Sequence, residues 1–324
     1  MSVNAIMLRV VLGAATLFGA TIAHAQDYPN RPMRLILPYN PGGIVDFVGR
    51  TIGQGLSQVA GQSVVPENKP GAGGILGTHT VVTSDPDGYT LLLMDPAIVV
   101  NSVLQADINY DLFKDLKVVS VVSSSPLVLV TAPSLPVTSF KEFVAYGKAN
   151  QGTLNYASAG VGTTPHLAGE LFRIQTGIDA THVPYRGIAG SFADLMTGKV
   201  QFSFSSIPGA KPFTDDNRLR ALATTGGQRS PAYPDLPTVA EAGLPGFEVE
   251  LWLAVFVPSA TPDAVVTQLN AKLKQSLDDP AIKVALARFG VEPRGSSPAE
   301  ATAFVHDEYE KWKKVVEGAH LKQQ

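Results

Sequence analysis

Short hydrophobic runs alternate along the chain with segments of helical periodicity, and glycine- or proline-rich turns separate them. Apolar runs bounded by turn residues predict buried strands, whereas apolar residues every three or four positions predict helices. The predicted strands are 33–37, 63–65, 89–94, 118–122, 127–131, 154–158, 200–204, 219–224 and 251–257. Helices are predicted from 44, up to 82, from 139, around 165–176, and from 262, 280 and 298. This alternation is typical of an α/β fold.

The first 25 residues have the pattern of an export signal. Arg9 is the only charge before the apolar run 10–22, and the run ends in the A-x-A cleavage pattern Ala23-His24-Ala25. We predict cleavage near Ala25 and export to a bacterial periplasm. The alternative is a retained membrane anchor, but the run is shorter than the roughly 20 residues that span a bilayer.

Composition excludes several classes of protein. The chain has 324 residues, no cysteine and 16% charged residues. Without cysteine there is no disulfide framework and no thiolate metal site, and no histidine pair has metal-ligand spacing. Lys and Arg number 25 against 28 Asp and Glu, which gives no electrostatic basis for nucleic-acid binding. We therefore expect no metal, no cofactor and no nucleic-acid partner.

The segment 38–46 places two glycines, Gly42 and Gly43, between a predicted strand and a predicted helix. Unpaired N–H groups and the helix dipole make such a turn suitable for an anion. A tight turn without a ligand is equally compatible with the pattern. We expect Asp46 to cap the helix or tie the loop rather than act in catalysis.

The segment 156–166 repeats this scheme and adds hydroxyl groups. Thr163 or Thr164 is the expected helix N-cap, and the other hydroxyl, Ser158 and free amides are candidates to bind a carboxylate. His166 is expected to be structural or to orient a group rather than serve as a general base. A glycine loop before a helix in each half of the chain suggests two similar α/β lobes.

Signals for enzymes are weak. Leu76 occupies the place of the third glycine in a G-x-G-x-x-G pattern, and Ser158 lacks the first glycine of a G-x-S-x-G elbow. We predict no enzyme; the alternative is an exported serine hydrolase that uses Ser158 and His166. Arg186 is either a carboxylate clamp or a solvent-facing turn residue. Tyr39 and Tyr185 either line a pocket or cover the edge of the core.

Several long motifs occur in order along the chain after residue 25. They are 28–32, the Pro-Gly-Gly-x-x-Asp loop that ends at Asp46, 67–74, 86–92, 158–168, 182–187 and 236–246. Through these motifs the sequence resembles the Bug family, the periplasmic solute-binding receptors of the tripartite tricarboxylate transporter system.

The resemblance implies a two-lobed periplasmic-binding fold, similar to type II, with the ligand in a cleft that closes by hinge motion. It implies a monomer that delivers a small carboxylate (a di- or tricarboxylate, an amino acid or an aromatic carboxylate) to one large and one small integral membrane subunit. We expect lobe 1 to contain 26–125 and 253–324, and lobe 2 to contain 126–252. A receptor that presents its ligand to a membrane signalling protein is the alternative within this class.

The resemblance also implies which residues contact the ligand. These are Tyr39, Gly42, Gly43, Ser158, Gly162, Thr163, Thr164, His166 and Tyr185. Two segments depart from the family pattern: Asp95 stands where relatives carry small or hydroxyl residues, and Ser205 follows a strand where many relatives carry an acid. We add both to the predicted contacts. Asp95 either selects a ligand with a cation or donor, such as an amino acid or a pyridine carboxylate, or caps the following turn.

Overall fold

The computed structural model describes residues 28–104, 108–185 and 187–318. The predicted export signal and Arg186 lie outside these ranges. The strands are β1 (Met33–Leu37), β2 (Val64–Asn68), β3 (Thr90–Met94), β4 (Leu116–Thr131), β5 (Leu154–Ser158), β6 (Ala180–Pro184), β7 (Phe202–Ser206), β8 (Arg220–Thr224), β9 (Glu250–Pro258) and β10 (Glu292–Pro293).

Helices follow most of the strands. They are α1 (Ile44–Ala60), α2 (Ile75–Val82), α3 (Ala97–Leu104), α4 (Leu112–Asp115), α5 (Phe140–Ala149), α6 (Thr164–Thr176), α7 (Phe192–Met196), α8 (Ile207–Asp215), α9 (Asp263–Asp278), α10 (Pro280–Ala287) and α11 (Pro298–Gly318). The α/β class predicted from the hydrophobic pattern is therefore present.

The strands form one curled sheet in the order β2-β1-β3-β9-β4-β7-β5-β6, and β10 and β8 pair with β4 beside this path. Two parts of the sheet meet at β4. Its residues 116–126 pair with β9, whereas 127–131 pair with β7 and β8. We call the part with β1, β2, β3, β9 and β10 the first sheet region, and the part with β5 to β8 the second sheet region.

Strand β4 is continuous where the sequence predicted two strands. The polar triplet Ser123-Ser124-Ser125 and Pro126 interrupt the hydrophobic pattern, yet the backbone remains extended through them. Neighbouring groups satisfy two of the three hydroxyls: Ser125 Oγ donates to the Gly290 carbonyl at 2.8 Å, and Arg294 Nε donates to Ser124 Oγ at 2.7 Å, whereas Ser123 Oγ is buried without a partner among the described residues. Long-range hydrogen bonds therefore hold this strand together.

The sequence pattern missed α3 and α8 for different reasons. Helix α3 is apolar on nearly all sides, so it has no amphipathic period to detect. Helix α8 contains Pro208 and Pro212, which normally indicate a break. Pro208 lies in the first helical turn, where a missing N–H costs little.

Helix α11 joins the two sheet regions on one side of the molecule, because it packs against both α3 and α6. At its centre Trp312 is fully buried, and Trp312 and Trp252 both donate from Nε1 to Glu308 Oε2, at 2.9 and 2.7 Å. Trp252 lies on β9, close to where the chain returns to the first sheet region. The two tryptophans and Glu308 therefore link α11 to β9.

Candidate functional site

The loop between β1 and α1 turns on two glycines, as predicted. Gly43 is the N-cap of α1 and makes no side-chain cap bond, and Gly42 has a φ of +92°, which favours glycine. The Gly42 amide donates to Asp46 Oδ2 at 3.0 Å. One of the amides expected to face a ligand is therefore occupied by the chain's own carboxylate.

Asp46 also fixes the loop between β1 and α1, called the α1 loop below, through its second carboxylate oxygen. Its Oδ1 accepts from Arg50 Nε and from Asn68 Nδ2, both at 3.0 Å, and the side chain is buried. The hydrogen bond from Arg50 is the main cause that lowers the pKa of Asp46 to about 2. The prediction that Asp46 ties the loop is confirmed, and a fixed negative charge stands at the start of α1.

Tyr39 and Asp95 meet at the ends of β1 and β3. The Tyr39 hydroxyl donates to Asp95 Oδ1 at 2.7 Å, and the Ala97 amide donates to the same oxygen at 3.0 Å. Asp95 thus caps the turn into α3, which was one of the two predicted roles. Burial raises the pKa of Asp95, and it raises the pKa of Tyr39 well above the ordinary value.

In the second sheet region, the loop between β5 and α6 is bonded to itself. Thr163 is the N-cap by position, as predicted, but its Oγ1 donates to the Gly160 carbonyl at 2.7 Å instead of capping the helix. The Gly160 amide donates to Ser158 Oγ at 3.0 Å, and the Gly162 amide donates to His166 Nδ1 at 3.1 Å. This α6 loop is therefore held by uncharged side chains.

His182 on β6 completes the support of the α6 loop. Its Nε2 lies 2.6 Å from Ser158 Oγ, and its ring centre is 4.2 Å from that of His166. Burial lowers the pKa of His166 to about 3, with His182 and Arg173 adding to the shift, and burial likewise lowers the pKa of His182. Both imidazoles are therefore neutral at pH 7.

Glu170 lies next to the His166 ring. It accepts from the Tyr156 hydroxyl, and Arg173 Nη1 donates to its two oxygens at 3.0 and 2.8 Å. Its Oε1 is 4.0 Å from His166 Nε2. The charge of Glu170 is thus balanced by Arg173, away from the loop.

Thr164 opens α6 and has polar groups available. Its side chain is 6% exposed, and its hydroxyl has no hydrogen-bond partner among the residues that the structure describes. The amides of Thr164 and His166 lie in the first helical turn, where no intrahelical acceptor is within reach. This helix end can therefore donate to an anion.

The α6 loop packs against α3. A methyl group placed at Gly162 would lie 3.8 Å from Val100 Cγ1 and 3.9 Å from Leu104 Cδ1 on α3. Since α3 begins two residues after Asp95, the Tyr39–Asp95 pair and the α6 loop both adjoin this helix.

Tyr185 and Ser205 are placed differently from the loop residues. The Tyr185 amide donates to the Ser158 carbonyl at 3.0 Å, whereas its hydroxyl donates to Asp194 Oδ2 at 2.8 Å. Ser205 is fully buried in β7, and its Oγ donates to Ser203 Oγ at 3.2 Å. Tyr185 therefore joins the loop through its backbone, and Ser205 lies inside the sheet.

Comparison with known proteins identifies the family. The family model of the tripartite tricarboxylate transporter family receptor, TctC, matches residues 48–321. The chain belongs to this receptor family. The Rhodopseudomonas palustris protein Rpa4515, solved with adipate, is 36% identical with a TM-score of 0.77, covering 91% of this chain and 99% of that one. The periplasmic binding protein BugD is 30% identical with a TM-score of 0.75, covering 92% and 100%.

A third TctC relative is MatC of Rhodopseudomonas palustris, solved with bound malate. It is 30% identical with a TM-score of 0.73, covering 89% of this receptor and 100% of MatC. The predicted membership of the Bug family is confirmed, and so is the two-lobed periplasmic-binding fold. The chain is a solute-binding receptor.

Two features of this receptor's site were not predicted. His182 was not among the expected site residues, although it contacts Ser158. The signals for it were its place at the start of the motif 182–187 and near the end of a short strand. Ser158 pairs with His182 and not with His166, which differs from the arrangement that the hydrolase alternative required. Ser158 is also fully buried.

In residues 28–104, 108–185 and 187–318, no helix is both long and apolar enough to cross a bilayer. Over the same ranges, no cluster of three or more His, Asp or Glu side chains is arranged to hold a metal ion.

Proposed function

We propose that this receptor binds a small carboxylate in the cleft between its lobes and delivers it to a membrane transporter. The observation that carries the proposal is the start of α6, where the Thr164 hydroxyl and the amides of Thr164 and His166 lack partners in the described chain. Amides at a helix N-terminus favour an anion by about 0.3–2 kcal/mol. The adipate and malate bound by the two relatives support a carboxylate.

We further propose that the lobes divide as the resemblance implies, with 26–125 and 253–324 in lobe 1 and 126–252 in lobe 2. The change of pairing partners along β4 at 126–127 supports this division. Contacts made by the ligand on both lobes would favour the closed form by hinge motion at β4 and β9.

Export through the signal at 1–25 and transfer to a large and a small membrane subunit complete the proposal. Membership of the transporter receptor family supports both steps. An uptake assay in cells that produce the receptor with its two membrane subunits tests the transfer, because removal of the receptor should abolish uptake.

Calorimetry tests carboxylate binding directly. Adipate, malate, glutamate and nicotinate are titrated into the receptor, and at least one is expected to bind and to raise the melting temperature by several degrees through mass action. No binding by any of the four would contradict the proposal.

A variant of Thr164 tests where the carboxylate sits. Thr164→Val keeps the shape of the side chain and removes the hydroxyl, so it should weaken binding about 3- to 10-fold, the worth of one hydrogen bond. Thr302→Val on the exposed face of α11 removes a hydroxyl that bonds only its own helix and should leave binding unchanged. Equal affinity of both variants and the wild type would exclude Thr164 from the site.

A further inference from the structure

The fold pairs each carboxylate that it buries fully with a cation. Four acidic side chains in the described residues are at most 8% exposed. They are Asp46 with Arg50 (2.9 Å), Glu170 with Arg173 (2.8 Å), Glu250 with Arg294 (2.7 Å) and Glu308 with Lys311. The pairing has a physical reason, because an ionised carboxylate taken out of water is costly without an opposite charge.

Asp95 is less deeply buried than these four, and it differs from them in its hydrogen-bond donors. Its side chain is only partly exposed, and its burial raises its pKa. Yet no Lys, Arg or His within 28–104, 108–185 and 187–318 forms an ion pair with it. The donors that hydrogen-bond its side chain, the Tyr39 hydroxyl and the Ala97 amide, are neutral.

The turn into α3 does not need the charge of Asp95. Both donors bind one oxygen, Oδ1, and the amide oxygen of an asparagine accepts the same two hydrogen bonds and forms the same turn. An uncharged residue would cap this turn without the cost of a buried charge. The negative charge is therefore not explained by the fold.

The position of Asp95 indicates that a bound ligand would supply the missing cation. It follows β3, beside Tyr39 at the end of β1, and α3 begins two residues later. Val100 and Leu104 of α3 pack against Gly162 of the α6 loop. Asp95, which is partly exposed, therefore lies just before the helix that the α6 loop contacts.

We propose that Asp95 binds a cationic amine of the ligand, so that the receptor takes a small amino carboxylate in preference to a plain dicarboxylate. The inference rests on the proposed function, since it requires that the ligand's carboxylate is held elsewhere in the same cleft. Opposite charges in a site shielded from water then discriminate between ligands of equal size.

Two pairs of probes test this preference. 6-Aminohexanoate and adipate differ in having an ammonium or a second carboxylate on the same chain length, and aspartate and malate differ in having an ammonium or a hydroxyl. Calorimetry on the wild type should show the amine of at least one pair binding about tenfold more tightly or better. Tighter binding of the non-amine in both pairs would overturn the inference without any variant.

Asp95→Asn then removes the charge and keeps the acceptor for the turn. It should lower the affinity for the amine about tenfold and leave or raise the affinity for the dicarboxylate, with little change in melting temperature. Unchanged preference, or equal losses for both members of a pair, would show that Asp95 is only a turn cap.

The matched control is Asp263→Asn, which changes the net charge equally at an exposed ion pair with Lys117. It should not alter the preference, and a shift as large as that of Asp95→Asn would overturn a local role. If none of the four probes binds to wild type or variant, the proposed function itself fails, together with this inference. Binding without any preference refutes only the inference.

Discussion

The α1 loop and the α6 loop have the same plan of strand, glycine turn and helix, but the chain supports them with opposite chemistry. The α1 loop is tied by an ionised carboxylate, Asp46, which occupies the Gly42 amide and is held by Arg50. The α6 loop is tied by neutral groups, Ser158 and His166. Similar sequence signals therefore led to loops that differ in charge.

The difference predicts which helix start binds a carboxylate more strongly. A fixed negative charge at the start of α1 offsets the positive end of the helix dipole and repels a second anion. Neutral support leaves the dipole of α6 uncompensated. We infer that the α6 loop contributes more to carboxylate affinity than the α1 loop.

Acidification should weaken the support of the α6 loop at a higher pH than the support of the α1 loop, and this is the largest expected effect. His166 has a pKa of about 3 in the folded protein and about 6.5 when unfolded, so only the unfolded state takes up this proton between those values. Stability from His166 is complete above pH 6.5 and is lost as pH falls towards 3, by up to about 1.4 kcal/mol per pH unit. The stability that ionised Asp46 contributes is complete above its unfolded pKa, near 3.8, and is lost only as pH falls towards 2.

Urea unfolding from pH 7 to pH 4.5 measures this effect. His166→Asn provides an acceptor for the Gly162 amide without a titrating ring, so its stability should fall less steeply than that of the wild type. The control His306→Asn changes an exposed histidine that stacks on Phe113. If the stability of His166→Asn and of the wild type depends equally steeply on pH, His166 does not have the low pKa assigned to it in the folded protein.

Asp46→Asn tests the charged loop. Loss of the ionic hydrogen bond to Arg50 should lower the free energy of unfolding by about 1–2 kcal/mol. Carboxylate affinity should rise about threefold, because the fixed anion beside α1 is gone. Glu67→Gln breaks a different ion pair on β2 and should not change affinity. A drop in affinity with Asp46→Asn would indicate that the α1 loop is a principal anion site.

His182→Phe tests the neutral loop. The phenyl ring can retain the stacking on Tyr156 but cannot hydrogen-bond Ser158 Oγ, so the loop loses a fixed support. Carboxylate affinity should fall about tenfold, the cost of one well-placed hydrogen bond in a buried network. His182→Gln supplies a donor at a similar reach and should recover most of this loss in calorimetry. Wild-type affinity in the phenylalanine variant would remove His182 from the site.

Local signals predicted much of this fold. The glycine turns at both loops and the helix starts were visible because caps and turns depend on neighbouring residues. For example, a helix was predicted from 298, and Ser297 and Glu300 exchange hydrogen bonds at the start of α11 in the Ser-x-x-Glu pattern of a capping box. Thr238 and Glu241 exchange the same pair of hydrogen bonds, but only turns follow them, because Gly243, Pro245 and Gly246 disfavour a helix.

Features that depend on distant residues were not predictable in the same way. Ser158 and His182 are 24 positions apart and meet only because β5 and β6 pair in parallel with Tyr156 opposite His182. Tyr39 and Asp95 are 56 positions apart. The occupied amides themselves bond to near neighbours, Gly42 to Asp46 and Gly162 to His166. Which of the possible local hydrogen bonds forms depends on the loop conformation, so the difference between the two loops was seen only in the structure.

Amide chemical shifts test the central claim most directly. The receptor is labelled with nitrogen-15 and titrated with whichever of adipate and 6-aminohexanoate binds more tightly. We predict that the amides of Thr164 and His166, at the start of α6, shift most and saturate with the calorimetric affinity. The largest shifts at Ile44 and Val45, at the start of α1, with little change at Thr164 and His166, would contradict the account.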